Sequence, residues 1–184
     1  EKAEASGKQF SLLALSALEK ATDTIHSGSI SLVVKSLALP IDNQMFRLAT
    51  ALGVMHRGTI GWMKMRSEIS AVQIGPISMV TIPGEIYPEL VNGGIEAPEG
   101  NDFGIQPQEI PAIRDMMHGK YKFVFGLAND EIGYIIPKSQ WDVEAPYTYD
   151  RNDSPYGEEN SLGSETASIL HQNIKEMLEE LNKN

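Results

Sequence analysis

Residues 78–87 read Ser78-Met79-Val80-Thr81-Ile82-Pro83-Gly84-Glu85-Ile86-Tyr87, an apolar run that stops at Pro83-Gly84 and presents Glu85. A short apolar run bounded by turn residues marks a buried strand. Just upstream, residues 68–74 and 77–82 flank Gly75-Pro76, and two strand-like runs around such a turn predict a hairpin. Further on, residues 121–126 form another strand and pass into Leu127-Ala128-Asn129-Asp130-Glu131-Ile132-Gly133-Tyr134. Two strands therefore each deliver a candidate oxygen ligand at the C-terminal end, Glu85 and Tyr134. Open α/β sheets place their ligand sites at such ends.

Outward from this centre, the periods alternate between strand and helix. Residues 2–25 carry Phe10, Leu13, Ala17, Ala21 and Ile25 near a 3.6-residue spacing, with Gly28 as a stop, which predicts an amphipathic helix. Residues 29–39 predict a strand closed by Pro40. Asp42 or Asn43 caps a helix running to Leu52. Residues 54–66 give no assignment. Pro88 opens a short helix that Asn92-Gly93-Gly94 ends, and residues 93–109, rich in Gly, Pro and acidic groups, form a long loop. A helix over 113–118 precedes the strand at 121–126. Residues 142–163 are irregular, and a closing helix over 164–182 buries Ala167, Leu170, Ile174, Met177, Leu178 and Leu181. Strands alternating with helices predict an α/β fold, a mixed sheet flanked by helices.

Composition narrows the function classes. The 184 residues are 41% hydrophobic and 22% charged, enough for one domain with one core. A formal charge of −10 disfavours a sequence-independent grip on nucleic acid, which needs a basic surface. With no cysteine, disulfides, thiolate metal sites and cysteine nucleophiles are excluded. No apolar run approaches the roughly 20 residues of a bilayer span. Glu1-Lys2-Ala3-Glu4 is neither an initiator methionine nor a signal peptide, so the expectation is a chain that starts inside a longer precursor or at an engineered start.

Each candidate residue has a second explanation. Glu85, just before the helix at Pro88, suits a metal ligand or a helix-capping carboxylate. Tyr134 suits a ligand or a core tyrosine with its hydroxyl hydrogen-bonded. Asn129-Asp130-Glu131 reads as a polar turn. His26, His56, His118 and His171 share no metal-ligand spacing, and each stands where a structural role accounts for it. No Gly-x-Ser-x-Gly elbow, phosphate loop or dinucleotide fingerprint is present.

Ile82-Pro83-Gly84-Glu85, then Gly126-Leu127-Ala128-Asn129 and Tyr134, resemble the neutral/alkaline non-lysosomal ceramidase family. There a Pro-Gly-Glu strand end supplies a zinc-binding glutamate, and a tyrosine five residues after the asparagine of Gly-Leu-x-Asn supplies another ligand. Ile135-Ile136-Pro137-Lys138-Ser139-Gln140-Trp141, Tyr156-Gly157-Glu158, Gly163 and the closing helix extend the resemblance over residues 68–182; residues 1–67 match only loosely. The resemblance implies the C-terminal portion of a larger α/β hydrolytic domain, with zinc as cofactor, hydrolysis of N-acyl amide bonds of ceramide type in a lipid substrate, and a secreted or periplasmic location. It implies Glu85 and Tyr134 as metal ligands and Tyr156 as a catalytic group that hydrogen-bonds the developing oxyanion.

Departures accompany the matches. The family's two zinc histidines and serine nucleophile lie upstream of the represented region, so the partner implied is the missing N-terminal half, and this chain alone should be inactive. The family's histidine before the tyrosine is Gly133 here. Two other readings stand beside this one: a non-catalytic binding module that keeps the fold, and a hydrolase of other N-acyl amides or esters.

Overall fold

The Gly75-Pro76 turn joins β2 (Lys64–Ile74) to β3 (Ile77–Thr81), which pair antiparallel with Ile74 opposite Ile77. Gly75 takes φ 51°, a left-handed conformation that glycine adopts without a Cβ penalty. The computed structural model describes residues 2–21, 24, 26, 28–55, 60–94, 103–148 and 151–183. Ile25, His56 and part of the 93–109 loop lie outside them.

Around the hairpin a four-stranded sheet forms in the order β1-β2-β3-β5. β1 (Ile30–Pro40) runs antiparallel to β2 along 11 residue pairs, while β5 (Tyr121–Phe125) lies parallel to β3. The connection from β3 to β5 passes through β4 (Glu85–Ile86), α3 (Pro88–Asn92) and α4 (Ile113–Met116). The fold is α/β, a mixed parallel and antiparallel sheet with helices. A separate two-stranded ladder pairs β4 with β6 (Tyr134–Ile135) in parallel.

α6 (Thr166–Leu181) covers one face of the sheet. The six apolar side chains predicted for its inner stripe are all buried, and Thr166 and His171 join them. They pack against Leu37, Leu39, Ile69, Ala71, Val80 and Ile82 in one core. Each fully buried aliphatic side chain contributes about 1.5–3 kcal/mol by leaving water. His171 is held by a 2.7 Å hydrogen bond between Nε2 and the Pro111 carbonyl, a structural role as expected from its position.

Several boundaries differ from the pattern reading. β2 begins at Lys64, inside the stretch that gave no assignment, and buries Met65, Ser67 and Ile69 on alternate positions. α1 spans Lys2–Glu19, shorter than predicted, and none of its side chains is buried. α2 (Gln44–Ala51) is capped by Asn43, whose side-chain oxygen accepts from Met45 N at 3.0 Å and Phe46 N at 3.2 Å. The irregular 142–163 stretch contains the short helix α5 (Tyr156–Glu159).

On the second face of the sheet several large apolar side chains are left uncovered among the described residues. Ile30, Leu32 and Val34 of β1 and Phe123 and Phe125 of β5 are all exposed. The two phenylalanine rings stack on each other at 6.1 Å. Among the described residues no helix is long and apolar enough to cross a membrane.

Candidate functional site

Pro83-Gly84 takes the chain out of β3 and across to the segment before β6. Gly84 sits so close to this segment that an added Cβ would collide with the Gly133 carbonyl oxygen. That approach lets Ile132 N donate to Pro83 O at 2.8 Å, Glu85 N to Gly133 O at 3.0 Å, and Tyr87 N to Ile135 O at 3.1 Å. Glu85 consequently stands directly opposite Tyr134 in the β4–β6 register.

The Gly126-Leu127-Ala128-Asn129 turn folds back on the same segment. Leu127 N donates to Gly84 O and Ala128 N to Ile82 O, both at 3.0 Å, and Asn129 Nδ2 donates to Thr81 Oγ1 at 2.9 Å. Leu127 is held at φ 52° and Asn129 at 74°. Asparagine tolerates this region, but for leucine it costs about 1–2 kcal/mol. The surrounding hydrogen bonds stabilise it. The Pro-Gly-Glu and Gly-Leu-x-Asn motifs, 40 residues apart in the chain, thus form one bonded unit.

Glu85 is exposed and Tyr134 half-buried. The facing Glu85 carboxylate, ahead of a contribution from burial, raises the Tyr134 phenol above its ordinary pKa. Tyr156, exposed at 70%, sets its ring edge-on to that of Tyr134 at 5.9 Å. On the other side Tyr87 meets Tyr134 edge-on at 6.5 Å. The structure therefore gathers all three residues singled out from sequence, Glu85, Tyr134 and Tyr156. They rim a cavity of about 280 Å³ whose other wall is apolar, with Phe46, Met55 and Met65.

Tyr87 and Glu158 were not singled out from sequence, whereas Glu131 was read as part of a polar turn. Tyr87 is pushed up to about 12, first by burial and then by the nearby Glu158 carboxylate. Its signal was available: it lies two residues beyond Glu85, on the same side of an extended segment. Glu131 Oε1 accepts from Gly133 N at 2.7 Å and shapes the turn into β6. Glu158, only 7% exposed, is raised above the usual carboxylate range by burial, while its Oε1 accepts from Asp142 N at 3.1 Å.

Zinc sites use three or four protein ligands. Glu85 and Tyr134 supply two oxygens, and among the described residues no group of three or more His, Cys, Asp or Glu is placed to hold a metal. The described residues alone do not fit a zinc ion. Gly133 adds a second departure from the ceramidase pattern. It adopts φ 91°, and a Cβ there would collide with the Asn160 carbonyl. A histidine cannot occupy this position with the present backbone.

Comparison with protein-family models, with curated proteins and with solved structures finds no match for this chain.

Proposed function

We propose that the chain is the C-terminal part of a ceramidase-like hydrolase of N-acyl amides, to which it contributes Glu85, Tyr134 and Tyr156. The observation that carries this reading is the in-register pairing of Glu85 with Tyr134 by two motifs folded into one hydrogen-bonded unit. In the proposed site Glu85 and Tyr134 face each other as two oxygen ligands. Tyr156, exposed at the rim, presents a phenol to the substrate carbonyl, where a hydrogen bond would strengthen as charge develops on oxygen. The wall of Phe46, Met55 and Met65 suits an aliphatic acyl chain, because burying methylenes there removes apolar area from water.

The remaining groups, including further zinc ligands and a nucleophile, would come from polypeptide outside these 184 residues. The uncovered apolar sheet face supports such a partner layer, since exposed apolar patches of this kind mark interaction surfaces. The absence of a third ligand among the described residues favours a second reading, a non-catalytic module that binds through the same cavity.

The test compares amide hydrolysis by this chain with that of the chain carrying its native flanking sequence, using a fluorogenic ceramide analogue and added zinc. The expected result is activity in the longer protein only, reduced at least a hundredfold by Glu85→Ala and by Tyr134→Phe. Full activity in either variant would refute the assignment. A longer protein that binds the analogue without cleaving it would establish the binding module.

A further inference from the structure

A second cavity, of about 140 Å³, lies away from the Glu85–Tyr134 pair and shares no lining residue with it. It is bounded by α3, by the segment around Pro107–Ala112 and by the turn at residues 137–140. Two carboxylates line it, Glu89 from α3 and Glu109 from the irregular segment before α4. Glu109 is 5% exposed and Glu89 half-buried.

Each carboxylate is anchored through one oxygen only. Gln140 Nε2 donates to Glu89 Oε1 at 3.0 Å, and Ser168 Oγ donates to Glu109 Oε1 at 2.5 Å. The second oxygen of each, Glu89 Oε2 and Glu109 Oε2, is buried without a hydrogen-bond partner among the described residues. Buried carboxylate oxygens are normally satisfied, and a buried charge without compensation is strongly unfavourable. Both side chains border the same small cavity, and a cation held there would compensate both carboxylates.

We propose that this cavity is a calcium site, in which Glu89 and Glu109 supply the two anionic ligands. Two carboxylates balance a divalent ion. The space exceeds what a bare ion needs and leaves room for retained waters, each occupying about 30 Å³ in the liquid. Calcium takes six to eight oxygens at variable geometry, drawn from carboxylates, amide and backbone carbonyls, and water. The irregular backbone around the cavity suits that latitude better than the octahedron magnesium demands. The ion would tie α3 to the segment leading into α4 and, through Ser168, to α6. Its role is structural, and it is independent of the hydrolase reading.

The test is calorimetric titration of the chelator-treated chain with calcium chloride, alongside Glu89→Gln, Glu109→Gln and Glu85→Gln. The expected result is one ion per chain, with an affinity at the weak end of the protein calcium range, about 10⁻⁴–10⁻³ M. Glu89→Gln and Glu109→Gln should each weaken binding at least tenfold, whereas Glu85→Gln should bind as the wild type does. Without calcium, Glu109→Gln should be no less stable than the wild type, because it removes an uncompensated charge. If Glu109→Gln does not fold, the half-buried Glu89→Gln carries the comparison. No binding, binding unchanged in the folded Glu89 and Glu109 variants, or binding lost only in Glu85→Gln would each overturn the proposal.

Discussion

Replacing Gly84 with alanine tests directly how the candidate site is framed. The backbone of Gly84 is not left-handed, so the substitution is purely steric. An added Cβ would lie 3.1 Å from Ile135 Cδ1 and 3.2 Å from Ile132 Cγ1, contacts that flexible side chains can relieve. Its collision with the Gly133 carbonyl oxygen is different, because that atom is backbone and already accepts from Glu85 N. Relief requires β4 to move away from β6. Overpacking of this kind costs about 1–3 kcal/mol, and loss of the Glu85 N–Gly133 O bond about 1 kcal/mol more. The reduced freedom of the unfolded chain returns about 0.4–1 kcal/mol. The net expectation is a loss of about 2 kcal/mol, which for a domain of this size lowers Tm by about 4–8 °C. Urea unfolding followed by circular dichroism measures it, with Gly7→Ala as the contrast. A Cβ at Gly7 meets nothing within 4 Å, so the same change there should only add helicity to α1. A Gly84→Ala chain within about 0.5 kcal/mol of wild type would refute the argument that this approach positions Glu85 opposite Tyr134.

Three further outcomes are expected. Ile174→Ala, at a side chain 1% exposed between α6 and the sheet, should cost about 2–5 kcal/mol, read from the denaturation midpoint at unchanged slope. Glu158 has a folded pKa raised above its unfolded value by burial. It therefore keeps its proton in the folded chain after the unfolded chain has released it, and stability falls as pH rises through that interval. Glu158→Gln should abolish this decline, and urea midpoints between pH 4 and pH 7 that stay parallel in the two proteins would contradict it. Finally, the uncovered sheet face should bind an apolar dye and promote self-association in light scattering. Leu32→Lys together with Phe123→Lys should suppress both while leaving the unfolding midpoint nearly unchanged, since both side chains are exposed.

The clearest sequence signals were those with a period long enough to count. α6 repeats its apolar spacing over four turns, and every residue assigned to its inner stripe is buried. The 68–82 hairpin was equally plain because Gly75-Pro76 interrupts two strand-like runs. β2 starts earlier than the pattern shows because its buried positions include Ser67 and Ser70, which hide the alternation. α5 is four residues long, too short for any period, and Asn160 Nδ2 helps to close it by donating to Tyr156 O at 2.9 Å. For the candidate site, the matching strand ends pointed to Glu85 and Tyr134 as neighbours, and the structure sets them together. Their register was not visible, because two-residue strands have no pattern and the close approach depends on Gly84 and Gly133. The unpacked state of α1 was also hidden, since an apolar period reports the need for burial and not the presence of a partner.

That need recurs on the sheet. An antiparallel sheet with one wet side normally alternates apolar and polar residues, whereas strands covered on both faces are apolar throughout. β1 breaks the alternation: Val33 packs against the core while its neighbours Leu32 and Val34 are exposed. β5 behaves alike, with Val124 turned to the core and Phe123 and Phe125 exposed. The side chains on this face therefore carry the pattern of a covered layer, as does α1, where Phe10, Leu12, Leu13, Leu15 and Leu18 are exposed around most of the helix. A helix apolar on nearly all sides is stable in water only within a larger core. β3 and β5 both run toward the end where Gly84 and Leu127 meet. Under the proposed function, a layer laid over the apolar face would reach that same end. It could then bring further ligands to Glu85 and Tyr134 without disturbing the hydrogen bonds that already hold them together.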